Sequence, residues 1–194
     1  MVRAARARLI DSAVRLIRSR GVAGTAVSDL LADSGTARRS IYMHFPGGKA
    51  QLIEESVRSA GMWMDRMIEH KAAALPPAEM IRAFSDYWKQ ILTSSDYRSG
   101  CPVAAAAIGG HEVPEARAVA GEMFERWEHR LVRNAVAHGV PEPAATGFAT
   151  MALAAMEGAV VMSLAAGSAE PLDRVSDQLL ELLDHHLAEP VDRE

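Results

Sequence analysis

Residues Thr25–Leu52, TAVSDLLADSGTARRSIYMHFPGGKAQL, decide how this chain folds. Val27, Leu30 and Leu31 stand at i, i+3, i+4 spacing, which marks a helix burying one face. Ser34-Gly35-Thr36 interrupts that pattern with a glycine-centred turn. A second short segment, from about Ala37 to His44, carries Arg38, Arg39, Ser40, Tyr42, Met43 and His44 on one side, with Ile41 and Phe45, four residues apart, on the other. A helix, a tight turn and a short helix bearing cations, hydroxyls and hydrogen-bonding rings form a helix-turn-helix. Its second helix is built to enter a DNA major groove.

The residue types match that task. Arginine pairs bidentately with guanine edges or clamps phosphate, while serine and tyrosine hold register on the backbone. Thr25 is read as the cap of the first helix of the motif and Thr36 as the cap of the second. Lys49 follows Pro46-Gly47-Gly48 at the start of the next helix, where it reaches phosphate beside free amide groups. The expected DNA-facing set is therefore Thr25, Thr36, Arg38, Arg39, Ser40, Tyr42, Met43, His44 and Lys49. Plainer alternatives stand beside four of them: the arginines as a solvated face, Tyr42 as packing against the first helix, and His44 as a capping or core histidine.

Outward from the motif, the rest of the 194-residue chain also reads as helix. Half the residues are hydrophobic but only 5% are aromatic, and alanine is abundant, which favours close-packed helices over a sheet. Apolar periodicity and proline or glycine punctuation predict nine segments. They run from about Ala5 to Arg20, the two helices of the motif, Lys49 to Ala73, Ala78 to Leu92, Pro102 to Ile108, Pro114 to His138, Pro143 to Ala166 and Pro171 to Leu187. The fold class is all-α, divided into a DNA-binding domain over 1–48 and a second domain over 49–194.

Charge supports that division. The first 60 residues hold ten Lys/Arg against five Asp/Glu, a local excess of +5 in a chain whose total is −4. A cationic end on an acidic body is the asymmetry of a protein that meets a polyanion at one end only. The single Cys101 excludes an internal disulfide and fits a reduced, cytoplasmic compartment. The Arg-rich start continues directly into a helix and is not read as a presequence. Ala144 to Ala166 has the length of a membrane span, but Glu157 near its middle and its Ala/Gly content favour a buried helix.

Catalytic chemistry finds no foothold. There is no phosphate-binding glycine loop, HExxH, nucleophile elbow or paired-cysteine metal spacing. His185-His186 point in different directions at a helix end and complement its dipole. No enzyme activity, metal or cofactor is expected.

Gly21, Thr25, Val27, Asp29, Leu30, Gly35, Ser40-Ile41-Tyr42, His44-Phe45, Lys49 and Leu52 stand in the spacing of the TetR family of transcriptional regulators, which the first 55 or so residues resemble densely. Phe45 to Lys49 and the later Gly100-Cys101-Pro102-Val103 resemble the branch of drug- and flavonoid-responsive repressors related to the lincomycin-resistance regulators. Three positions depart from the family pattern. Ala37 stands where a hydroxyl residue is usual, Arg39 where glycine is common, and Ala26 where threonine is usual.

The resemblance implies a homodimeric repressor on a double-stranded DNA operator, released by a small-molecule effector. It places the dimer interface on the last two helices. There Ala149, Ala152, Ala155, Gly158 and Ala159 permit close approach, and Phe148, Met151, Met156, Val160 and Leu164 fill the seam, joined by Val175, Leu179, Leu182 and Leu183. A monomer core is the alternative for the same surface. An effector pocket is expected from Trp63, Met64, Met67, Phe84, Trp88, Ile91, Phe124, Trp127 and Met156, since aromatics and flexible methionines suit flat apolar ligands. The rival to a specific regulator is a helical protein that binds nucleic acid, or a partner, without sequence preference or ligand response. The operator, the regulated genes and the effector are not encoded in any motif.

Overall fold

The computed structural model describes residues 2–188 of the chain. These residues form nine helices and no strand: α1 (Val2–Arg20), α2 (Val27–Ser34), α3 (Arg38–His44), α4 (Gly48–Ala72), α5 (Pro77–Ser94), α6 (Pro102–Gly109), α7 (Pro114–Ala137), α8 (Glu142–Ala166) and α9 (Glu170–Ala188). The all-α class and the order of elements agree with the sequence reading, with ends displaced by less than a turn. Pro143 and Pro171 sit second in their helices rather than first. A first-turn proline removes only an amide that has no helical partner anyway.

The chain gathers into two compact units: Met1–Met64 with Cys101–Phe124, and Asp65–Gly100 with Glu125–Glu194. Both α4 and α7 run through the two units, and on α4 the boundary between them falls after Met64. The first unit needs the start of α4 for its core: Leu52, Ile53 and Val57 are fully buried beside Leu9, Ile17, Leu30, Ile41 and Phe45. Within it, α1 packs on α2, α3 and α6.

In the second unit α5, α8 and α9 pack on one another. Trp88 of α5, Trp127 of α7, Phe148 and Val160 of α8, and Leu179 and Leu183 of α9 are among its large buried side chains. This corrects the seam expected on the last two helices. Phe148, Ala149, Ala152, Met156, Ala159, Val160, Leu179 and Leu183 are buried within their own chain. Met151 and Gly158 of the expected seam stay in solvent, where they form a stripe with Ala154, Val161 and Met162. A helix apolar on most of its circumference does not announce which side meets its own core. Among the described residues α8 is also the helix long and apolar enough to cross a membrane, with mean hydropathy 1.7. Its buried side is nonetheless used against α5 and α9.

One charged cluster crosses the second unit. Asp65 of α4 is 1% exposed, and Arg130 grips it with Nε donating to Oδ1 at 2.5 Å and Nη2 to Oδ2 at 3.0 Å. Arg126 Nη2 donates to the same Oδ2 at 2.8 Å, and Arg130 Nη1 also reaches Glu69 at 2.8 Å. The hydrogen bonds from Arg130 hold the Asp65 carboxyl below its ordinary range, against burial, which pushes the other way. A carboxyl depressed in the fold stabilises it above the ordinary carboxylate pKa, and that contribution fades as pH falls through the lowered value. Asp65→Asn is expected to cost about 2 kcal/mol at pH 7. That is below the roughly 3–5 kcal/mol of a fully buried broken pair, because Arg126 is 47% exposed. Denaturant titrations of both proteins at pH 7 and pH 3 check this: the gap narrows at the lower pH, and a constant gap refutes it.

Candidate nucleic-acid interface

The face of α3 exists because its other side is anchored. Ile41 and Phe45 are 1% and 0% exposed, and the Arg6 guanidinium lies over the Phe45 ring, 5.2 Å from its centre. That leaves Arg38, Arg39, Tyr42 and Met43 exposed and Ser40 and His44 half-buried at the edges. Tyr42 and Met43, neighbours on the chain, are each more than half exposed.

Gly35 makes the turn. It closes α2 in the left-handed region, φ 61° and ψ 32°, a conformation that costs an L side chain about 1–2 kcal/mol. Gly48 opens α4 at φ 67°, and a Cβ there would come within 3.4 Å of the Tyr42 ring. The tyrosine therefore lies beside the start of α4, where Lys49 is half-buried. Gln51, which the sequence reading did not single out, fixes this joint. Its Oε1 accepts from the Gly47 N–H at 2.8 Å and its Nε2 donates to Glu55 at 2.9 Å.

Two expected caps are corrected. Ala26 and Ala37 are the N-caps of α2 and α3, and neither helix has a side-chain cap. Thr25 lies one residue too early. Its fully buried hydroxyl donates instead to the Gly21 carbonyl at 2.8 Å, closing the end of α1. That places the Thr25 side chain inside the head and away from solvent. Thr36 pairs with the Ser34 hydroxyl at 2.8 Å, bracing the turn from within.

Much of the positive charge of the head is already paired. Arg15 meets Asp33 at 2.6 Å and Arg20 meets Asp29 at 2.7 Å, which ties α1 to α2. The Asp33 carboxyl is held below its ordinary range by a hydrogen bond from Ser12 and then by Arg15. Arg6 pairs with Glu55, and Arg58 with Glu122 at 2.7 Å. Exposed pairs of this kind contribute about 0–1 kcal/mol each. Their larger consequence is on charge, since Arg38, Arg39 and Lys49 form no ion pair among the described residues. These three stand on α3 and at the start of α4, whereas Arg8 of α1 donates to the Ser34 carbonyl at 3.2 Å.

The expected pocket residues do not converge in the same way. Trp63, Met64 and Phe124 belong to the first unit, and Met67, Phe84, Trp88, Ile91, Trp127 and Met156 to the second. Trp63 is half exposed, whereas Met64, Trp88 and Trp127 are buried core. A cavity of about 50 Å³ in the second unit takes only Phe84 and Met156 from the set. Its other walls are Pro77, Met80 and Ile81 of α5, Leu131, Asn134 and Ala135 of α7, Phe148, Ala152 and Leu153 of α8, and Leu179 of α9.

A glycine-turned helix pair with an exposed cationic second helix is a helix-turn-helix unit, and known sequences agree. Residues 9–56 match the bacterial regulatory proteins of the tetR family, and residues 77–178 match the C-terminal domain of LmrA/YxaF-like transcriptional regulators. The chain belongs to the TetR family of transcriptional regulators, in the LmrA/YxaF-like branch. It is similar to a helix-turn-helix transcriptional regulator of Mycobacterium tuberculosis, 38% identical over 95% of this chain and 96% of the other. LmrA of Bacillus subtilis is 29% identical, over 92% of this chain and 96% of its own. The fold matches the crystal structure of a regulatory protein TetR from Rhodobacter sphaeroides with TM-score 0.83 and 19% identity, over 92% and 98% of the two chains. A TetR regulator from Chloroflexus aurantiacus matches at 0.77 and 27%, over 95% and 96%.

Anchor and reading face separate by mutation. Phe45→Ala is expected to destabilise the protein by about 3–5 kcal/mol, as for other buried phenylalanines. Arg39→Ala is expected to stay within about 0.5 kcal/mol of wild type. Thermal denaturation of both decides, and equal losses would mean that Arg39 is structural.

Proposed function

We propose that this DNA-binding regulator is a cytoplasmic homodimeric repressor that sets α3 of each subunit into successive major grooves of a palindromic operator and leaves it when a small apolar effector binds. The observation that carries the DNA part is the convergence of Arg38, Arg39 and Lys49, free of ion pairs among the described residues, on one face with Tyr42 and Met43. Arg38 and Arg39 reach base edges or phosphate. Ser40, Tyr42, His44 and Lys49 hold the backbone, and Met43 offers an apolar contact such as a thymine methyl. Thr36 braces the turn, and the Thr25 side chain, buried as it is, supports the motif from behind.

Dimerisation through α8 and α9 is supported by the exposed stripe of Met151, Val161 and Met162, with Leu187 of α9 also in solvent. Two reading heads must stand roughly 34–36 Å apart to meet successive grooves. Effector release follows if the ligand binds a conformation with another spacing better than the DNA-bound one, because only differential affinity shifts such an equilibrium. The helix that carries Lys49 at its start runs on into the second unit, which gives ligand binding there a covalent route to the head.

Selection on random duplexes tests the DNA part. A palindromic consensus is expected, and binding that disappears with salt and yields no consensus sinks it. In the same assay Arg39→Ala relaxes one base position if the side chain reads an edge, or weakens all sequences alike if it holds phosphate. For the dimer, Met151→Arg is expected to give a monomer by light scattering and to lose operator affinity. A dimer that persists would move the interface elsewhere.

A further inference from the structure

One cavity of the second unit lies between α5, α7, α8 and α9 and is lined by hydrocarbon with one exception; a wider polar cleft beside Glu69, Arg130, Arg133 and Glu142 shares Asn134 with it. Asn134 of α7 is the single polar side chain of the apolar cavity's wall, and it is 6% exposed. Its Nδ2 donates to two carbonyls at once, Ala72 O at the end of α4 and Leu75 O in the turn beyond, each at 3.0 Å. Two acceptors on one side settle which end of the amide is which, since the flipped group would set its oxygen against two other oxygens. Both amide hydrogens are thereby used, and Oδ1 is the atom that Asn134 can still offer. It only accepts.

That arrangement restricts what the cavity can hold. No Lys, Arg or His lines it, so an anion finds no counter-charge, and no carboxylate lines it to receive a cation. A ligand must instead be neutral, and its preferred polar group must be a donor. Size restricts it further: an apolar cavity of about 150 Å³ takes benzene, and this one measures about 50 Å³. Met80 and Met156 in the wall are unbranched and can swing aside to admit one ring.

We propose that this cavity binds a small neutral molecule, no larger than one ring or a short branched chain, which donates a single hydrogen bond to Asn134: a phenol or a compact alcohol. Its regulatory meaning rests on the effector reading above, whereas the binding itself does not. Through the carbonyls of Ala72 and Leu75 the same amide touches the end of α4, so a ligand held at Oδ1 engages the group that ties α7 to that helix.

The test uses phenol, toluene and benzoate on the intact protein without DNA, with affinities from calorimetry or ligand-observed NMR. Phenol is expected to bind about three- to tenfold tighter than toluene of the same shape, the effect of one hydrogen bond, and benzoate is not expected to bind at pH 7. An apolar cavity without a working acceptor prefers toluene, which leaves water more readily, so the order of the two is decisive. Ala152→Phe, which fills the cavity, is expected to abolish phenol binding. Asn134→Leu is expected to reverse the order; should that variant not fold, the wild-type series and Ala152→Phe still decide. Toluene at or above phenol, benzoate binding as well as phenol, or unchanged phenol affinity in Ala152→Phe overturns the proposal. A phenol-selective cavity with unaltered operator affinity upholds it and sinks only the release mechanism.

Discussion

Burial of Ile41 and Phe45 is the constraint on which the reading surface depends. A helix of seven residues does not persist in water, because nucleation is unfavourable and too few hydrogen bonds follow it. α3 is held by tertiary packing of one edge, with Arg6 stacked over the Phe45 ring. The outward direction of Arg38, Arg39, Tyr42 and Met43 is a geometric consequence of that anchoring. Neither α2 nor α3 has a side-chain cap, which makes packing from α1 and the left-handed Gly35 turn more important still.

Seven cations of the head fall into two groups. Arg6, Arg15, Arg20 and Arg58 are neutralised locally and serve to join helices. Arg38, Arg39 and Lys49 form no ion pair among the described residues. A count of charges over the first 60 residues sees a positive end but not this partition, and only the second group can exchange counterions with a polyanion.

Two buried polar groups of the second unit are each held by more than one hydrogen bond. Asp65 is acceptable in a buried position because three arginine N–H groups from α7 converge on it. Asn134, two turns further along α7 than Arg126, ties the same helix to the end of α4. Both residues fasten α7 to α4 through directional bonds. An otherwise apolar bundle thereby acquires a defined register, and one wall of its cavity acquires a hydrogen-bonding atom.

What the sequence by itself determined was local: the helix-turn-helix, the nine helices, their order, and the side of α3 that faces outward. Each follows from spacing within one helix or from a glycine or proline at a joint, and such signals need no knowledge of the partner. Only the tertiary structure decided which cations are free, which threonines cap nothing, which side of α8 meets its own core, and where a cavity opens. Trp88 and Trp127 look like pocket residues along the chain and prove to be buried core, while Asn134 and Ala152 look unremarkable and line a cavity. These outcomes depend on side chains brought together from distant helices, and helical periodicity carries no information about which helix will be opposite.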